Sequence, residues 1–123
     1  MHRVIISLAA NHDPLHNLSE ARRCLGQILF QTRFSPEIWT DPIGSKRTDK
    51  YLNQLVVGMT RLSADELCAW LKETESLLGR TASDRQSGIV RIDLDLLLYD
   101  DDRYHLKDWD RPYVKLLMPS VSS

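Results

Sequence analysis

The order of apolar segments predicts an α+β domain of the ferredoxin-like type, β-α-β-β-α-β, with an antiparallel sheet carrying two helices on one face. Four segments read as strands, at residues 4–8, 30–39, 51–62 and 90–99. Between the first and second, and between the third and fourth, apolar residues recur at helical spacing. At 123 residues, 42% hydrophobic and 27% charged, the chain can build one core, and residues 1–123 read as a single domain.

Each element has its local reason. Residues 4–8 form a short apolar run, too short to span a bilayer. A truncated signal-peptide core is the alternative, but the polar run from Asn11 follows without a convincing small-x-small cleavage site. Asp13-Pro14 supplies an N-cap and first helical residue, after which Leu18, Ala21, Leu25, Ile28 and Leu29 share a face. Pro36 interrupts the second strand, which places it at an edge or a bulge. Residues 40–50 contain Pro42, Gly44, Ser45 and three basic residues and read as a loop. The third strand, 51–62, aligns Leu55, Val57 and Met59. Ser63 and Glu66 form a capping box, and Leu67, Trp70, Leu71, Thr74 and Leu78 follow at helical spacing until Gly79. Residues 81–88 read as a second polar loop. The last strand ends at Asp100-Asp101-Asp102, and the tail beyond Tyr104 reads as irregular.

Composition excludes several functions. With a formal net charge of -1 the chain has no general attraction for nucleic acid or an anionic membrane. Cys24 and Cys68 lie far apart in helical patterns without an activating partner, and read as buried thiols in a reducing, cytoplasmic compartment. No phosphate loop or dinucleotide fingerprint occurs. His12 and His16 have zinc-compatible spacing but no third ligand.

Three constellations carry chemistry. In Arg91-Ile92-Asp93-Leu94-Asp95-Leu96 the two aspartates share one strand face and the aliphatics the other, with Arg91 on the aspartate side. A solvated strand face is the plain reading. Aspartate is nevertheless a poor strand former, and two such charges repel by about 3 kcal/mol at an effective dielectric near 20. Magnesium, bound through one or two carboxylates plus phosphates and water, removes that repulsion. Tyr51 and Asn53 also share a face: a ring to stack on a flat heterocycle and an amide for its edge, or simply a core-edge pair. Lys72, Arg80, Arg85, Arg91 and Arg111 are either solvated surface or the cations a triphosphate requires.

Together these residues resemble the 6-hydroxymethyl-7,8-dihydropterin pyrophosphokinase family over residues 5–118. Tyr51-Leu52-Asn53 is similar to the Tyr/Phe-Leu-Asn that opens the family's third strand. Glu75 with Leu77-Leu78-Gly79-Arg80 resembles its Ile-Glu-x-x-x-Gly-Arg segment. Residues 91–99 are similar to its Arg-Thr-Ile/Leu-Asp-Leu-Asp-Ile-Leu-x-Phe signature. The resemblance implies transfer of pyrophosphate from ATP to a pterin hydroxymethyl group in folate synthesis, with release of AMP. It implies that Asp93 and Asp95 hold two magnesium ions and that Tyr51 and Tyr113 sandwich the pterin. Asn53 would bond the pterin edge, and the backbone at Thr40 and Ile43 would line its pocket. Lys72, Glu75, Arg80 and Leu96 fall at nucleotide-contacting positions, and Arg111 near the phosphates. The implied partners are small molecules, with neither nucleic acid nor membrane.

The chain departs from that pattern in several places. Ser87 stands where the family has a pocket-covering Trp, and Val90 where it has an Arg; Ala9-Ala10-Asn11 replaces Gly-Ser-Asn, and the Pro-His-Tyr before Arg111 is absent. Loss of one phosphate-binding Arg costs about 3 kcal/mol, or roughly a hundredfold in rate. Two readings follow. Arg91 and Trp109 replace the missing pair in a compact enzyme, or the domain is a catalytically weak or inactive pterin- and nucleotide-binding module.

Overall fold

A computed structural model describes residues 1–42, 49–79 and 81–122, without the side chains of Ala82 and Arg85. Its centre is β1 (His2–Ala10), buried on both faces because residues 4–8 are almost continuously apolar. Val4, Ile6, Leu8 and Ala10 face a layer of two helices, while Ile5 enters a second cluster on the opposite face. On one side β1 pairs with β4 (Tyr51–Thr60), and on the other with β5 (Asp93–Tyr99), both antiparallel.

The second expected strand is two strands. β2 (Phe30–Phe34) and β3 (Ile38–Thr40) both pair with β4, separated at Ser35-Pro36-Glu37. Proline donates nothing to a ladder, so the break falls at the edge where the sequence placed it. The two-residue β6 (Asp102–Arg103) extends the opposite edge, giving the order β2-β4-β1-β5-β6. This is the ferredoxin-like arrangement.

Helices α1 (Pro14–Leu25) and α2 (Ala64–Leu77) cover one face. α1 buries Leu18, Ala21 and Leu25, and α2 buries Leu67 and Leu71. The capping box forms as expected: Ser63 Oγ accepts from the Glu66 amide at 3.1 Å, and Glu66 Oε1 accepts from the Ser63 amide at 2.9 Å. Asp13 precedes α1 but caps nothing with its side chain, because its backbone is left-handed at φ 42°.

Three expectations are corrected. Within the expected loop 81–88, residues Ala82–Ser87 form a short helix, α3. Thr81 and Asp84 begin it reciprocally, each amide bonding the other side chain at 3.3 Å. The last strand starts at Asp93 rather than residue 90. Asn11 holds the preceding segment elsewhere: its Oδ1 accepts from the Val90 amide at 2.6 Å and its Nδ2 donates to Gly88 O at 2.9 Å. The Asn11 amide also donates to Val90 O at 2.8 Å.

The tail is largely helical. α4 (Leu106–Trp109), α5 (Pro112–Leu117) and α6 (Pro119–Ser122) follow one another, and Pro112 and Pro119 each supply a preset first residue. Val114, Leu117 and Val121 cover Ile5, Leu55, Val57 and Leu97 on the second sheet face. Arg3 and Arg33 tie this layer down by donating to Val121 O and Ser120 O. The sheet therefore lies between two layers.

Replacing Asn11 by Ala would leave the half-buried Val90 amide and Gly88 carbonyl without their side-chain partner. A loss of about 2 kcal/mol is expected. Urea denaturation should show a lower midpoint, and amide exchange should speed up first at Val90.

Candidate functional site

The strand register builds the site. On the face away from α1 and α2, Ala9 pairs with Asn53 on one side and Asp93 on the other, while Ser7 pairs with Leu55 and Asp95. The small side chain of Ala9 leaves a floor between the amide and the carboxylate. Two strand spacings separate them, about 10 Å. Above that floor lies a cleft of about 580 Å³. Its walls include Thr40, Tyr51, Asn53, Asp93, Asp95, Arg111 and Tyr113, all foreseen in the sequence.

At one end, Asn53 is nearly buried at 3% exposure. Its Nδ2 donates to Thr40 Oγ1 at 2.7 Å and to Ile38 O at 3.3 Å, which fixes the amide plane. Lys50 and Asp41 stand at the same end, 3.9 Å apart in a loose ion pair. Asp93 and Asp95 occupy the other end, projecting together while Leu94 and Leu96 enter the helix-side core. Arg111 precedes α5 and its Nε donates to Asp108 Oδ1 at 2.9 Å.

Burial pushes the Tyr113 phenol up to about 12. The carboxylates of Asp108, Asp95 and Asp93 act in the same direction, and Arg111 opposes them. Among the described lining residues, four carboxylates (Asp41, Asp93, Asp95, Asp108) face two cations, Lys50 and Arg111.

Several anticipated residues lie elsewhere. Arg91 does not join the aspartate face, because strand alternation begins only at Asp93. Its Nε donates to Asp84 Oδ2 at 2.9 Å and holds that carboxyl below the usual carboxylate range. Trp109 is an anchor rather than a cover: Nε1 donates to Leu97 O and Tyr104 O, and Arg103 stacks on the ring. Glu75 is buried against β5, its Oε2 accepting from the Leu94 amide at 2.7 Å. Lys72 is exposed on α2, and Leu96 is a core residue at 1% exposure. None of these four residues of the expected nucleotide and phosphate set (Arg91, Lys72, Glu75, Leu96) lines the cleft. Ile43 and Arg80 lie outside the described residues.

Other members of the site escaped the sequence reading. Asp41, Lys50 and Asp108 line it, and Val90 does so where an Arg was expected. His105, six residues before Arg111, places Nε2 3.8 Å from Asp95 Oδ1. A left-handed backbone at His105, φ 50°, starts α4 and turns the chain back toward β5. No group of three or more metal-ligating side chains occurs among the described residues. The aspartate pair alone still suits magnesium, which completes its shell with water and phosphate oxygens. No described helix is long and apolar enough to cross a membrane.

Fold and site together define a ferredoxin-like α+β domain with an acidic, aromatic cleft at one end of its sheet. The model of the 7,8-dihydro-6-hydroxymethylpterin-pyrophosphokinase family matches residues 5–122, and the chain belongs to that family. It is 30% identical over 121 residues to a folate synthesis bifunctional protein of Arabidopsis thaliana, covering 90% of this chain and 25% of the relative. A mitochondrial folate synthesis bifunctional protein of Pisum sativum is 34% identical over 121 residues, covering 90% of this chain and 23% of the relative. The bifunctional protein of Chlamydia trachomatis serovar D is 41% identical over 69 residues, 54% of this chain and 15% of its own length. The chain thus spans at most about a quarter of these curated relatives.

Because the folded state disfavours the phenolate, Tyr113 should ionise about two units above the ordinary tyrosine value near 10. Its contribution to stability is complete below pH 10 and is lost as pH rises toward 12. Alkaline absorbance titration of the wild type minus Tyr113→Phe should isolate this late step.

Proposed function

We propose that residues 1–123 form one catalytic domain that transfers a diphosphoryl group from ATP to the hydroxymethyl oxygen of 6-hydroxymethyl-7,8-dihydropterin in folate biosynthesis. One observation carries this reading. Tyr51, Asn53, Asp93, Asp95, Arg111 and Tyr113, drawn from β4, β5 and the tail, converge on one cleft of about 580 Å³.

In this reading Tyr51 and Tyr113 stack on the two faces of the pterin, while Asn53, held by Thr40, bonds its edge. The hydroxymethyl oxygen forms a bond to the β-phosphorus of ATP as the bond from that phosphorus to the α,β-bridging oxygen breaks. AMP departs with the bridging oxygen, and the hydroxyl proton passes to water. Such a transfer needs alignment and charge neutralisation more than a strong base. Asp93 and Asp95 would hold two magnesium ions, which when bound neutralise phosphate charge. Arg111 would exchange its Asp108 partner for a phosphate oxygen. Nucleotide contacts by Lys72, Glu75, Arg80 and Leu96, a catalytic part for Arg91, and a pterin contact at Ile43 rest on the family resemblance alone.

The substrates are small molecules, and the design involves neither nucleic acid nor membrane. A cytoplasmic address rests on the reading of the two cysteines, while the pea relative's name includes the word mitochondrial.

A second reading has specific support. Arg91 is engaged by Asp84 and Trp109 by the backbone of β5, so neither replaces the Arg and Trp missing at Val90 and Ser87. A weak or inactive binding module of the same fold would follow. Two measurements separate these readings. Coupled detection of AMP release should show turnover that falls at least about a hundredfold in Asp95→Asn. Calorimetric pterin binding with a silent AMP assay would instead establish the binding module.

A further inference from the structure

Gln54 is a polar side chain in an apolar place. Strand β4 alternates, so Asn53 lines the cleft while Gln54 turns to the helix side, between Leu52 and Val56 of the main core. Gln54 is only 5% exposed. A leucine there would extend the core without a polar group to satisfy. Both ends of the amide are instead engaged. Its Oε1 accepts from Arg22 Nη1 of α1 at 2.9 Å, and its Nε2 donates to Ser35 O at 2.9 Å.

Ser35 is where the edge of the sheet breaks. It is buried, its amide donates to Leu55 O at 2.8 Å, and its Oγ accepts from the Leu55 amide at 2.9 Å. Pro36 has no N–H to add. Glu37 follows, its carboxylate a loose 3.9 Å from Arg22. Strand β3 then pairs with β4 over three positions only: Ile38 on Asn53, Trp39 on Leu52 and Thr40 on Tyr51. So short a strand takes its place from the corner that feeds it. At its far end Thr40 Oγ1 accepts from Asn53 Nδ2 at 2.7 Å. A chain of contacts thus runs from α1 through Gln54 and Ser35 to β3, and from Thr40 to the amide that lines the cleft.

We propose that Gln54 is a positioning residue for the Asn53 end of the cleft: by holding the Ser35 corner it sets β3, and with it the Thr40 hydroxyl that orients the Asn53 amide. Gln54 itself touches no substrate. The proposal rests on the reading of the cleft given above, in which Asn53 bonds the pterin edge.

The test uses Gln54→Met, which keeps the length of the side chain and removes both of its bonds. Calorimetry measures magnesium α,β-methylene ATP, and then the pterin in the presence of saturating analogue. A misaligned Asn53 should lose about one hydrogen bond, weakening the pterin about fivefold. The ATP analogue should stay within about twofold, because Asp93 and Asp95 lie on β5, which does not pair with β3. Asn53→Ala removes the positioned group, so adding Gln54→Met to it should weaken the pterin by no more than about a further twofold. Full multiplication of the two effects overturns the proposal. Unchanged pterin affinity in Gln54→Met does the same, as does equal weakening of both probes, which would mark a general loss of structure. Should Gln54→Met fold too poorly to assay, Gln54→Glu keeps the Arg22 contact, loses the donor to Ser35 and takes its place under the same expectations. Amide exchange separates the positioning from the reading of the site. A wild type that binds no pterin refutes that reading. Exchange that quickens across β3 more than across β1 in the variant still supports the positioning, while equal quickening in both strands, or none in β3, overturns it.

Discussion

The register of β1 between β4 and β5 is the constraint on which everything else depends. It puts Ala9 in line with both Asn53 and Asp93, so an amide and a carboxylate face each other across a methyl group. A one-residue slip of either neighbour would send its polar side chain into the helix-side core. What prevents the slip is burial on both faces of β1, with Val4, Ile6 and Leu8 on one side and Ile5 on the other. The chemistry of the cleft is thus held in place by hydrophobic packing a few residues away.

Much of this is legible in the sequence. Period-two alternation placed Asp93 with Asp95 and Tyr51 with Asn53, because a strand obeys that rule whatever its neighbours do. Ser63 and Glu66 announced α2 through local hydrogen bonding that needs no tertiary context. Where the reading went wrong, long-range contacts decided the outcome. Arg91 lost its assigned face because Asn11, far away in sequence, captures Val90 and delays the strand. Helix α3 had a visible signal in Thr81 and Asp84, overlooked among polar residues. The tail helices had Pro112 and Pro119 as markers, but their apolar stripe of Val114, Leu117 and Val121 is short and acquires meaning only against an open sheet face. His105 could be placed only once α4 had turned it toward Asp95.

Among the described residues, the lining of the cleft carries more carboxylates than cations. Each described cation within it already has a carboxylate partner, Lys50 with Asp41 and Arg111 with Asp108. Such pairs at partly exposed positions contribute little to stability, so exchanging one for a phosphate oxygen costs little. The arrangement holds these two cations in place at the cleft wall.

The layer formed by α5 and α6 has a double part. Val114 and Leu117 seal one sheet face, while Arg111 and Tyr113, three residues and one residue before Val114, form a wall of the cleft. The cleft wall is therefore only as firm as the packing behind it: loosening α5 from the sheet would draw Arg111 and Tyr113 away from the aspartates together.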